Sequence, residues 1–138
     1  MLNLSSFKKK TLSNNEPSLS ITDVGVTFNK QCIVKLEYAE KVDIYVDKNA
    51  LKLVIKKTDS EDGTSFVSAK RKNASYVRWN NADFKEELFD WCRTANDKIT
   101  KYTGARVTGE YYEEDKALLF DFLLAKPLKD MEDIDLLF

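Results

Sequence analysis

Apolar residues recur along this chain at two periods, two and about 3.6, and the switches between them lay out the elements. Leu19 and Ile21 alternate with polar neighbours over Ser18 to Thr22, which predicts a short strand. Gly25-Val26-Thr27-Phe28-Asn29-Lys30 alternates again and stops at Asn29. Gln31 to Leu36, with Ile33, Val34 and Leu36 apolar, predicts a short helix. Val42, Ile44 and Val46 return to period two, break at Asp47-Lys48-Asn49 and continue from Leu51 to Ile55, the pattern of a hairpin. Asp59-Ser60-Glu61-Asp62-Gly63 is a turn by composition, so Lys52 to Lys57 and Ser65 to Lys70 are expected to pair as an extended two-stranded arm. Tyr76 to Asn81 reads as another strand. Phe84, Leu88, Trp91, Cys92, Ala95, Ile99 and Tyr102 then fall at spacings of 4, 3, 1, 3, 4 and 3, an apolar stripe that predicts one long helix of five turns. Asn80 or Asn81 suits its N-cap, Asp83, Glu86 and Glu87 its positive end, Arg93, Lys98 and Lys101 its negative end, and Gly104 its stop. Arg106 to Leu124 completes a second hairpin, with Tyr111 and Tyr112 ahead of an acidic turn.

Strand, helix and hairpin therefore occur twice, over 25–55 and 76–124. Val77, Trp79 and Asn80 stand for Val26, Phe28 and Asn29, and Ala117-Leu118-Leu119-Phe120-Asp121-Phe122 matches Ala50-Leu51-Lys52-Leu53-Val54-Ile55, apolar on apolar. The first copy resembles the swapped-hairpin units of AbrB, MazE and SpoVT type regulators. Gly25, Phe28-Asn29-Lys30, Leu36, Val42/Ile44/Val46 and Leu51/Leu53/Ile55 occupy the places of that pattern, with Asn29 where the proline usually stands. The resemblance implies a mainly β (α+β) fold: a pseudo-twofold, swapped-hairpin-like barrel from two strand-helix-hairpin repeats, with one long helix. Regulators of this type dimerise to exchange hairpins; two copies in one chain imply closure within it. The expectation is a monomer, with a homodimer through the arm as the alternative. Gly25 to Lys30 and Val77 to Asn81 also resemble small non-structural phage proteins of Gram-positive hosts.

Composition narrows the function classes. Of 138 residues, 43% are hydrophobic and 12% aromatic, enough for a folded core of one domain over residues 18–128. Net charge is −1, so nucleic-acid binding has to come from local clusters: Lys8-Lys9-Lys10, Lys56-Lys57 and Lys70-Arg71-Lys72. Lys56, Lys57, Lys70, Arg71 and Lys72 are the candidate nucleic-acid contacts, with solvated surface lysines as the plainer reading. Tyr111 and Tyr112, near Arg106 and Lys116, are either base-stacking rings or ordinary strand aromatics. The chain has no histidine, which removes the commonest general base and metal ligand, and Cys32 and Cys92 read as buried free thiols. The acids of Asp59 to Asp62 and Glu113 to Asp115 read as solvated turns, and the four glycines form no phosphate loop. No catalytic residue, metal or cofactor is expected. Neither a signal-peptide pattern nor an apolar run of the ~20 residues a membrane span needs is present, so the expected location is cytoplasmic.

The ends differ from the middle. Residues 1–17 read as a flexible polar arm anchored at Leu4 and Phe7. Residues 129–138 form an acidic tail ending Ile134-Asp135-Leu136-Leu137-Phe138, which resembles both the tails of single-strand-binding proteins and sliding-clamp-binding peptides. That resemblance implies a replication-type protein partner; the plainer reading packs the tail on its own chain. Together these readings point to a nucleic-acid-binding or DNA-metabolism accessory protein, with a protein-only interaction module, antitoxin-like or anti-defence, as the alternative.

Overall fold

The computed structural model describes residues 2, 3, 5, 6, 16–66 and 75–129. Leu4, Phe7, Lys8 to Lys10, the basic triplet Lys70, Arg71 and Lys72, and the tail residues Ile134 to Phe138 lie outside the described residues. Among those described, nine strands form one antiparallel sheet curled into a half-barrel, with two helices. Along the chain these are β1 (Ser18–Thr22), β2 (Gly25–Asn29), α1 (Lys30–Lys35), β3 (Lys41–Asp47), β4 (Lys52–Thr58), β5 (Thr64–Ser65), β6 (Tyr76–Trp79), α2 (Ala82–Ala95), β7 (Ala105–Tyr112), β8 (Ala117–Asp121) and β9 (Lys126–Pro127), with a 3-10 turn at Phe122–Leu124. The order across the sheet is β5-β3-β4-β8-β7-β1-β2-β6, and β9 pairs with the start of β7. Neither helix is long and apolar enough to cross a membrane.

Period-two alternation is what buries one face. Leu19, Ile21, Val26, Phe28, Leu53, Ile55, Val107, Leu118 and Phe120 all point inward and lose all their exposure. The centre is aromatic: the Phe28 ring lies 4.7 Å from Trp79, 5.7 Å from Phe66 and 5.9 Å from Phe120, each edge to face, the arrangement ring quadrupoles favour. β7 carries the curl, because its first half pairs with β1 and its second half with β8. The halves meet at Gly109, where a Cβ would stand 2.7 Å from the Phe120 ring, so only a bare backbone lets that ring lie across the strand. Gly25 is required for a related reason: its φ is +135°, and a Cβ would meet the Trp79 carbonyl at 2.5 Å.

Two expectations are corrected. The long helix is four turns, not five: it stops at Ala95, and Asn96 leaves it with extended backbone (φ −147°, ψ 106°). The Asn96 side chain accepts from Lys98 N–H at 3.0 Å, and the Thr100 and Thr103 hydroxyls hold the next turn, a competing local solution that short polar side chains offer the backbone. Ile99 is buried all the same, through a turn, whereas Tyr102 is 63% exposed. Lys98 and Lys101 therefore do not sit on a helix end. The arm is also rearranged. β4 already has β3 on one edge and β8 on the other, so β5 pairs with β3 instead, Thr64 opposite Val42 and Ser65 opposite Lys41.

Candidate functional site

Asn29 sets the position of α1. Its Oδ1 accepts from the Ser18 N–H at 3.1 Å and, as the helix N-cap, from the Cys32 N–H at 3.2 Å. Its Nδ2 donates to the Glu16 carbonyl at 2.9 Å and to Ser18 Oγ at 3.0 Å. One amide thus ties β1, β2 and α1 together. The helix that follows is short and ends without glycine. Tyr38 N–H reaches the Ile33 carbonyl at 2.9 Å and Glu37 N–H the Val34 carbonyl at 3.0 Å, a Schellman pattern with Glu37 (φ 55°) and Tyr38 (φ 56°) both left-handed. Left-handed backbone costs a side-chain-bearing residue about 1 kcal/mol, so the surrounding contacts hold these two where they are.

Those contacts define a basic rim. Glu37 Oε1 lies 2.7 Å from Lys116 Nζ, in the turn between β7 and β8. Lys116 is itself left-handed (φ 51°), and its carbonyl accepts from the Lys57 N–H at 3.1 Å. Lys35 Nζ sits 5.4 Å from the centroid of the Tyr111 ring. Lys35 and Lys116 therefore converge beside Tyr111 and Glu37, and the Lys57 charge also acts on the Glu37 carboxyl. The hydrogen bond from Lys116 holds the Glu37 carboxyl below its ordinary range and, reciprocally, pushes the Lys116 ammonium up. Both side chains are about half exposed, so this pair orders the rim more than it stabilises the fold.

The rim gathers some sequence candidates and separates others. Lys57 and Tyr111 are in it. Lys56 is not: adjacent strand residues face opposite ways, and Lys56 lies on the outer face of the sheet, between Asp43 and Ala117. Tyr112 also faces outward, where a hydrogen bond to the Glu110 carboxylate pushes its hydroxyl up. Arg106 is at the far end of β7, paired with Lys126. Lys35 and Glu37 escaped the sequence reading, because no glycine marks the left-handed turn that swings Glu37 toward Lys116. The acids Glu113, Glu114 and Asp115 adjoin the rim on the same turn, so its field is mixed in sign.

A second surface lies at the other end of β7. The 3-10 turn has one inward direction, taken by Phe122, whose ring packs edge to face on Trp91 at 5.4 Å. Leu123 and Leu124 are left 58% and 65% exposed at a groove of about 790 Å³ that Arg106, Lys126 and Leu128 also line. Neither thiol belongs to a site: burial pushes Cys32 and Cys92 up to about 12, and Cys32 Sγ donates to the Ser18 carbonyl at 3.4 Å. Among the described residues, no three His, Cys, Asp or Glu side chains come together to hold a metal. No protein-family model matches this chain, and no curated protein or solved structure matches it either.

Proposed function

We propose that this chain is a non-catalytic nucleic-acid-binding accessory protein of DNA metabolism, cytoplasmic and phage-encoded, that contacts phosphates at its basic rim and a replication-type protein partner through residues 134–138. The observation that carries the nucleic-acid part is the gathering of Lys35, Lys57 and Lys116 around Glu37 and Tyr111. Lysines gathered in one rim act together on a phosphate chain, and the Tyr111 ring beside them offers an aromatic edge for an unpaired base. Lys70, Arg71 and Lys72 add three charges to the same reading. The test is fluorescence anisotropy with single- and double-stranded DNA and with RNA. At about 50 mM salt binding should be weak and indifferent to sequence, and the joint substitution Lys35→Ala, Lys57→Ala should lower the slope of log affinity against log salt by roughly 0.7 to 0.9 per lysine. An unchanged slope would remove the rim from the interface. No binding at that salt would favour the protein-only reading, which the acidic turn beside the rim and the exposed Leu123 and Leu124 support.

The fold, in this reading, is the duplicated swapped-hairpin unit. Corresponding strands of the two copies pair with each other, β2 with β6 and β4 with β8, both antiparallel, as a twofold axis requires. Both helices are N-capped by asparagine, Asn29 and Asn81. Both hairpin loops are four residues long and end on a left-handed residue, Leu51 (φ 56°) and Lys116 (φ 51°). That loop match shifts the hairpin alignment by two residues from Ala50–Ile55 on Ala117–Phe122, which leaves the inward face unchanged.

A further inference from the structure

The groove beside the 3-10 turn is lined as far as Leu128, one residue before the end of the described segment at Lys129. β9 runs back along β7, and Leu128, two residues after Lys126, is part of the lining; the groove's charged residues are Arg106, Lys126 and Glu16. The residues that follow Lys129 are Asp130, Met131, Glu132, Asp133, Ile134, Asp135, Leu136, Leu137 and Phe138: four acids, no base and five large apolar side chains. Their chemistry complements the two cations and the three exposed or half-exposed leucines of the groove, which outweigh its one acid, Glu16. Reach is no obstacle, since nine residues span at most about 30 Å and the groove begins one residue upstream of Lys129. Attachment at Lys129 also supplies a millimolar effective concentration, so contacts too weak to hold a separate peptide suffice in cis.

We propose that residues 131–138 dock in cis on this groove, with Leu136 and Phe138 against Leu123, Leu124 and Leu128 and the tail acids toward Arg106 and Lys126. Docking makes the groove a built-in competitor: the same residues cannot lie on Leu123 and Leu124 and in a partner's pocket at once. That consequence rests on the partner reading above; the docking itself does not. Backbone 15N relaxation on the full chain tests it. Residues 133–138 should show order parameters near about 0.85, falling below about 0.6 in Leu124→Asp, with β1 to β8 resonances unchanged. Leu124 is 65% exposed, so its replacement spares the core, and a second variant, Leu136→Asp, alters only the segment itself and should act the same way. Order parameters below about 0.6 in the unmodified chain overturn the docking, as do high values that neither substitution lowers. Ordering that appears only as protein concentration rises would put the segment of a second copy in the groove and equally overturn docking in cis. A disordered segment that still captured a protein partner would end the docking and leave the partner reading standing; a docked segment that captured none after Leu124→Asp would do the reverse.

Discussion

Single side chains fix the two ends of α1, and each end makes a measurable claim. Asn29 uses its amide fully, accepting twice and donating twice across β1, β2 and α1. Asn29→Ala removes the helix cap and leaves the Ser18 backbone N–H short of a partner in a poorly hydrated place. The expected loss is about 2 kcal/mol, seen as a melting temperature lower by roughly 5 to 10 °C. A loss under about 0.5 kcal/mol would mean that the four bonds do not hold these elements together. At the other end Glu37 and Lys116 set a pH window. The folded Glu37 pKa lies below its ordinary 4.5, so its contribution is present above 4.5 and fades as pH falls through the folded value. Lys116 is raised above 10.5, so its contribution is complete below 10.5 and is lost as pH rises through the folded value. The bridge therefore spans the range between. Carboxyl NMR should find Glu37 titrating below 4.5 and returning toward it in Lys116→Met; a midpoint that the substitution does not move would dissociate the two. At Asn29 the sequence showed the end of an alternating strand but not the helix cap it becomes. Glu37 was not, because a side-chain-bearing residue in left-handed backbone leaves no mark in the sequence.

Elements were legible where one face of a regular repeat is buried. β1, β2, β3, β4, β6, β7 and β8 fall where alternation puts them, since burying Leu19, Phe28, Leu53 or Phe120 on one face demands period two. α2 begins at the second of the two asparagines, Asn80 and Asn81, that suited its N-cap. Its end was misread because Ile99 sits at helical spacing and is buried, which a turn satisfies as well as a helix; Asn96, with a side chain able to take over a backbone hydrogen bond, decided the matter. β5 was misread for a different reason. Which strand it joins depends on which edges remain open, and the β4 edges are taken by β3 and by β8, a strand sixty residues away in the chain. Strand existence is a local property and strand partnership is not.

Across the whole molecule, strands from the two halves of the chain pair with each other. β2 on β6 and β4 on β8 close around Phe28, Trp79 and Phe120, so hairpin exchange with a second copy would gain no new core. Sedimentation should accordingly give the 15.9 kDa monomer at every micromolar concentration; a dimer would mean that a second chain adds to the β5 or β6 edge and would count against closure within one chain. The sequence by itself determined the alternating strands, the start and apolar stripe of α2, both hairpins and the lack of histidine, because each is written in neighbouring residues or in composition. Only the tertiary structure decided that Lys35, Lys57 and Lys116 meet in one place. The same holds for the groove at Leu123 and Leu124. Curling the sheet at Gly109 and turning the chain at Glu37 bring together residues far apart in sequence, and no periodicity along the chain records which distant surfaces a curled sheet places side by side.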